Sequence, residues 1–364
     1  MSRWLAWGVA IACAGVVAVC FAPTPLRDRL YREVSYQYVA NQVTAGAANE
    51  TERILRIFDF VHQEVNVAGA EVVDDSPWND LIRGIGWCDQ QSWDFATLLS
   101  KQNIHARFAM LRKASGVSPH TVAEVKIGDR WALFDPLNGL YYRKPDGTFA
   151  TLEEVVGDQA LIIGEPKIQS LEPEVRAAFL DSVPNFYPLE QEPTRWTSLL
   201  LKKNRSRAQR ITNQAIRVSV TALGTPLAYA YQDLYYLTAW PRPSTADALY
   251  RRARNYQLYG RLNAAERGYR QVLAKFPSDD RADDAQFQLA RVLTAARRFQ
   301  ESLDQLAALS HRDPPSKWSA LLPDLVGRNR EAMGDLAGAL TSYELVAGNL
   351  DVDGPWRVGQ LRAR

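Results

Sequence analysis

Cysteine is scarce in this chain: there are three in 364 residues, and two of them, Cys13 and Cys20, fall in the apolar run from Trp4 to Ala22. Cys88 is left as the lone thiol of everything downstream, which excludes a disulfide framework there. A strong charge of either sign is also lacking, and a formal net charge of +2 leaves no electrostatic footprint for nucleic acid. Histidine is rare, and Cys88, His105 and His120 are not spaced as zinc ligands, so neither a metal nor a cofactor is expected. Acidic residues are missing altogether between Glu192 and Asp233, where Arg195, Lys202, Lys203, Arg205, Arg207, Arg210 and Arg217 are all basic. Long hydrophobic runs are confined to residues 4–22, because Val218–Trp240 is interrupted by Gly224, Pro226, Gln232 and Asp233.

The run at 4–22 is uncharged, preceded by Arg3, and long enough to span a bilayer as a signal anchor or to serve as a signal peptide. Either role predicts membrane attachment or export, with the downstream domains periplasmic or otherwise extracytoplasmic. Arg27, Arg29 and Arg32 compete with Arg3 under the positive-inside rule. An unpaired thiol in an exported protein calls for an explanation, and catalysis supplies one.

Three short stretches carry that chemistry. Ile127-Gly128-Asp129-Arg130 sits between two alternating runs, and a two-residue Gly-X loop predicts a tight β-hairpin in which facing residues sum to 257. Asp135 then faces Val122 and lies diagonal to His120 on the same face, within side-chain reach. An imidazole held beside a carboxylate is what a general base and its orienting partner require. Cys88 follows Gly84-Ile85-Gly86-Trp87 and opens a stretch with Phe95, Leu98 and Leu99 at helical spacing and no Gly or Pro as far as Gln102. A sulfur at a helix N-terminus meets a dipole and free N–H groups that favour a thiolate and can hold an oxyanion.

These residues resemble the transglutaminase-like superfamily, whose members share a papain-like core. Gly86, Cys88, Asp89 and Gln90 match the helix-opening cysteine motif, Ala106-Arg107 the following strand, His120 with Glu124-Val125 the histidine strand, and Trp131 with Asp135-Pro136 the acidic end. The likeness covers about residues 50–145. It implies an α+β core in which the cysteine helix packs on an antiparallel sheet, with Cys88 attacking a carboxamide or peptide carbonyl, His120 moving the proton and Asp135 holding His120.

Upstream, Leu26–Val39 and Thr51–Val65 read as helices, the second capped by Asn49 or Thr51, while Val73–Trp78 reads as a loop. Thr151–Val156 begins another short helix. From Ala248 onward a 37-residue register relates Leu262, Phe299 and Leu336, then Ala265, Ser302 and Ala339, then Tyr269, Leu306 and Tyr343, then Val272, Leu309 and Val346. That spacing resembles tetratricopeptide repeats, stacked helical hairpins that form a groove for a protein partner.

The expected organisation is an N-terminal segment at 1–23, a transglutaminase-like domain at 24–165, a helical basic region at 166–245 that is either a packed helix pair or a membrane-surface segment, and a repeat domain at 246–364 able to fold and recruit on its own. The expected function is a membrane-anchored cysteine hydrolase, peptidase or acyltransferase acting on a protein or peptide in the cell envelope. The rival reading is a non-catalytic scaffold of an envelope or polysaccharide-export assembly.

Overall fold

The computed structural model of the protein describes residues 23–68, 76–197, 207–239, 243–348 and 352–362. The apolar run at 4–22 lies outside them. Two helices open the described chain, α1 (Thr24–Val43) and α2 (Glu50–Glu64). Asn49 caps α2 by accepting the Glu52 N–H at 2.8 Å, and Ile54, Ile57, Phe58 and Val61 form its buried stripe. A short α3 (Pro77–Arg83) follows with proline in its first turn, so Pro77 and Trp78 are helical where a loop was expected. Proline is well suited to that position because its missing N–H would be unpaired there anyway. Residues 73–75 of that expected loop are not among the described ones.

The sheet follows α4 (Cys88–Lys101). Its strands β1 (Ala106–Arg112), β2 (His120–Ile127), β3 (Arg130–Asp135), β4 (Leu140–Tyr141) and a late β5 are antiparallel in the order β4-β3-β2-β1-β5. Ile127 pairs with Arg130 and Ala123 with Phe134, the register that the Gly128-Asp129 turn predicts. Phe95, Leu98 and Leu99 of α4 are fully buried with Phe134, Ala123 and Val125 of the sheet and Phe58 of α2. This is the α+β core expected of a cysteine helix laid on an antiparallel sheet.

The sheet does not end at the expected boundary of 165. After α5 (Leu152–Gly157), α6 (Gln159–Ile163), α7 (Pro166–Ser170) and α8 (Pro173–Phe186), the chain returns as β5 (Gln191–Thr197) along the free edge of β1. Pro193 and the charged residues of β5 are edge-strand features, and they hide the strand from a reading based on apolar alternation. Arg195, the first basic residue of the acid-free stretch, reaches the fully buried Glu124, its Nε donating to Oε2 at 2.8 Å while Arg107 Nε donates to the same oxygen at 2.7 Å.

α9 (Arg207–Ala239) lies along α1. Tyr31 and Tyr235 stack with ring centroids 3.8 Å apart, Tyr38 donates to Thr225 Oγ1 at 3.2 Å, and Arg27 donates to the Thr238 carbonyl at 3.3 Å. The helix is broken at Gly224, whose φ of 56° and ψ of −142° lie outside the helical region. Among the described residues no helix is long and apolar enough to cross a membrane.

The 37-residue register appears as three helical hairpins: α10 (Ala246–Leu258) with α11 (Leu262–Lys275), α12 (Asp280–Ala295) with α13 (Phe299–Ser310), and α14 (Leu322–Ala332) with α15 (Leu336–Glu344). Leu262, Phe299 and Leu336 each open the second helix of a pair. The equivalent residues Ala265, Ser302 and Ala339 are fully buried, as are Tyr269 and Tyr343. Small residues recur there because the paired helices approach closely.

A last helix, α16 (Gly354–Arg362), turns back onto the N-terminal domain. Trp356 is buried in the same apolar cluster as Ala109, Val122 and Leu133 of the sheet. Arg254 of α10 is fully buried and donates to the Leu81 carbonyl at 3.0 Å and to Glu64 Oε2 at 2.7 Å. Arg291 of α12 reaches Glu64 Oε1 at 2.8 Å. These shared contacts tie the repeats, expected as a free-standing module, to the N-terminal domain. Repeat periodicity reports only packing between neighbouring repeats, and it is blind to a cation such as Arg254 that satisfies carbonyls of a different domain.

Candidate active site

Cys88 is the first residue of α4, as the helical spacing predicts. Three contacts fix that start. The Gln90 side chain accepts the Trp87 N–H at 3.0 Å, the Gln91 amide donates to the Gly86 carbonyl at 3.3 Å, and Gly86 N–H donates to the Asn66 carbonyl at 3.0 Å. Gly86 is required by proximity, since a Cβ there would sit 2.8 Å from Val65 Cγ1. Ser92 Oγ then donates to the Thr121 carbonyl at 3.3 Å, fastening the cysteine helix to the residue after His120. The thiol is half-buried, and Trp87 beside it is 42% exposed.

His120 and Asp135 open β2 and close β3, and the hairpin brings them together: His120 Nε2 and Asp135 Oδ2 are 2.8 Å apart, both side chains fully enclosed. With Nε2 committed to Asp135, Nδ1 is the ring nitrogen left for a second partner, and Cys88 is near enough to help raise His120. Burial works against an imidazolium, but the Asp135 charge, its hydrogen bond and the Cys88 contact outweigh it, so His120 is raised above its ordinary value. Burial likewise pushes Asp135 up, and His120, Tyr187 and Asn138 together hold it below the ordinary carboxylate range. The raised histidine contributes stability that is lost as pH rises through its folded value, and the lowered aspartate contributes stability that is lost as pH falls through its own. The ion pair is therefore intact between those two limits.

Two residues of this site were missed in reading the sequence. Asn138 donates to Asp135 Oδ2 from its side chain at 2.8 Å and to Oδ1 from its backbone at 3.2 Å. Tyr187, at the end of α8, donates to Asp135 Oδ2 at 2.7 Å. An Asp followed by an Asx-type turn was a legible pattern for the first, whereas nothing local marks the second.

The turn after Asp135 is propped from outside. His62 Nδ1 donates to the Pro136 carbonyl at 2.9 Å, Lys167 Nζ donates to the Gly139 carbonyl at 2.8 Å, and Asp353 Oδ1 lies 3.5 Å from His62 Nε2 and 3.6 Å from Lys167 Nζ. Gly139 has a φ of 62°, and a Cβ there would fall 2.7 Å from His62 Nε2. Gly139→Ala is therefore expected to cost about 1–3 kcal/mol from backbone strain alone, read as a lower denaturant midpoint with unchanged slope.

His105, the other histidine weighed from the sequence, is exposed and precedes β1 by one residue, far in role from the triad: its carbonyl accepts the Lys126 N–H at 2.8 Å. Among the described residues no group of three or more His, Cys, Asp or Glu is arranged to hold a metal ion. What the site can do is nucleophilic acyl chemistry: a thiol, a base in contact with it, a carboxylate fixing the base, and free N–H groups at a helix start.

Comparison with protein families matches residues 37–136 to the model described as the transglutaminase-like superfamily. The match runs from within α1 through Asp135-Pro136, so it contains Cys88, His120 and Asp135 and stops short of Tyr187. No curated protein and no solved structure matches the chain. Taken with the cysteine helix packed on the antiparallel sheet, the match makes residues 37–136 a transglutaminase-like superfamily domain.

Proposed function

We propose that this protein is a cysteine enzyme of acyl transfer, a hydrolase, peptidase or acyltransferase, with Cys88 as nucleophile, His120 as general base and acid, and Asp135 as the group that orients His120. The observation that carries this reading is the enclosed His120–Asp135 pair in contact with a half-buried thiol at a helix start. Cys88 attacks a carboxamide or peptide carbonyl, and the thiol proton passes to His120. His120 returns it to the leaving amine as the tetrahedral intermediate collapses to a thioester. Water or an acceptor amine then attacks the thioester and releases Cys88.

The helical hairpins would recruit the protein substrate or a partner. A cleft of about 830 Å³ lies between them and the catalytic domain, walled by Ile85 on one side and by Asp280, Arg281, Arg312 and Lys317 on the other. Ile85 stands in the segment that leads into α4, three residues before the nucleophile. Residues 4–22 would attach the protein to a membrane and place the site in the cell envelope.

Alkylation of the purified full chain by iodoacetamide across pH tests the reading. Cys88, identified by peptide mapping, should react at pH values where an ordinary thiol of pKa about 8.5 is nearly inert, and His120→Ala should abolish that low-pH reactivity. A Cys88 profile matching free cysteine in both proteins would leave the scaffold reading standing and remove the catalytic one.

A further inference from the structure

Three donors converge on one oxygen. Asp135 Oδ2 receives His120 Nε2 at 2.8 Å, Asn138 Nδ2 at 2.8 Å and the Tyr187 hydroxyl at 2.7 Å. The first two arise from the hairpin and its closing turn. Tyr187 arrives separately, 52 residues beyond Asp135 in sequence, on the turn that leaves α8. Its own oxygen lies 3.0 Å from the Tyr142 hydroxyl, and since the Tyr187 proton is spent on Asp135, Tyr142 is the donor in that second bond. The Tyr187 ring also walls the imidazole edge-on, with centroids 5.9 Å apart, and neighbouring Phe186 does the same at 5.7 Å.

We propose that Tyr187 is a positioning residue of the Cys88–His120–Asp135 site, one that drains negative charge from Asp135 through its hydroxyl and thereby sets the pH above which His120 gives up its proton. This rests on the catalytic reading of that triad. A hydroxyl bonded to Oδ2 competes with His120 Nε2–H for the same lone pairs, so the carboxylate holds the imidazolium less tightly than it would alone. The same hydroxyl stops the carboxylate from rotating, and the ring stops the imidazole from tilting. Burial and then the Asp135 charge push the Tyr187 phenol well above its ordinary range, so it stays a donor wherever the site works.

The titratable groups around His120 are few. Cys88 comes from α4, Asp135 from β3 and Tyr187 from the end of α8, with Tyr142 and Glu165 standing behind Tyr187. In Tyr187→Phe the Tyr142 hydroxyl loses its acceptor and Asp135 loses one donor, whereas 3-fluorotyrosine keeps both bonds, so the two variants together isolate the Tyr187 hydroxyl.

The test is the pH profile of Cys88 alkylation by iodoacetate in the full chain. This anionic reagent needs the thiolate and is drawn to the imidazolium, so its rate rises as the thiol ionises and falls as His120 is neutralised. In Tyr187→Phe the upper limb should move to higher pH by about one unit, the size of one charge-assisted hydrogen bond. Placing 3-fluorotyrosine at position 187 keeps the shape and strengthens the donor, so the upper limb should move the other way. That second variant retains every packing contact and answers the question if Tyr187→Phe fails to fold. Upper limbs that coincide with the unaltered protein in either folded variant would overturn the proposal and leave Tyr187 a packing residue. Failure of the catalytic reading looks different: the unaltered protein itself would then alkylate like free cysteine.

Discussion

Asp135→Asn should lower turnover of an activated acyl ester by about 10³- to 10⁴-fold, the size expected when the carboxylate of a nucleophile–His–Asp site becomes an amide. The geometry makes this variant unusually harmful. Oδ2 of Asp135 is met by three donors and Oδ1 by a fourth. An asparagine has one acceptor oxygen, so whichever way its amide turns, an NH₂ group confronts a donor. With the NH₂ at the Oδ2 position the imidazole turns to the tautomer that cannot take the Cys88 proton, and with the oxygen there the NH₂ confronts the Asn138 N–H and disturbs the turn that holds the site. Circular dichroism and the denaturant midpoint separate this from unfolding, and a folded variant with near-normal turnover would refute the role given to Asp135.

The second large effect lies far from the thiol. Trp356→Ala should destabilise the whole protein by about 3–5 kcal/mol, the range for deleting a buried aromatic ring. Trp356 is 2% exposed and packs with the face of the sheet turned away from α4, and Lys167, which props the turn after Asp135, lies over its ring at 5.8 Å. Chemical denaturation should show one transition that moves as a unit when followed by helical signal and by Cys88 accessibility. Two separable transitions, with the helical hairpins melting apart from the transglutaminase-like domain, would favour the picture of independent modules.

Much of the site was legible because its logic is local. A two-residue turn at Gly128-Asp129 dictates which residues of β2 and β3 face each other, and that alone brings His120 to Asp135. An uninterrupted helical stripe after Gly86 puts Cys88 at a helix start. The 37-residue register reports the same contact made three times, so Ala265, Ser302 and Ala339 announce themselves as buried. Other features have no local cause. Tyr187 joins Asp135 across 52 residues and follows a helix that itself has a proline at position 184, so neither spacing nor motif marks it. β5 carries a proline and three charged or polar residues in its first four, and only its pairing with β1 makes it a strand. Arg254 reads as one basic residue among many on an amphipathic helix, and only the fold shows it enclosed against Glu64 and Leu81.

The outer props on the Asp135 turn have a consequence for how the protein is made. Cys88, His120, Asp135 and Tyr187 leave the ribosome long before Asp353 and Trp356, which brace that turn and seal the sheet from behind. A nascent chain can lay down the hairpin and the cysteine helix while the helical repeats are still being synthesised, but His62 and Lys167, which prop its Asp135 turn, lack their Asp353 partner until the repeats are complete. A polypeptide stalled within the repeats therefore carries Cys88, His120 and Asp135 without the Asp353 pairing and the Trp356 packing of the finished fold.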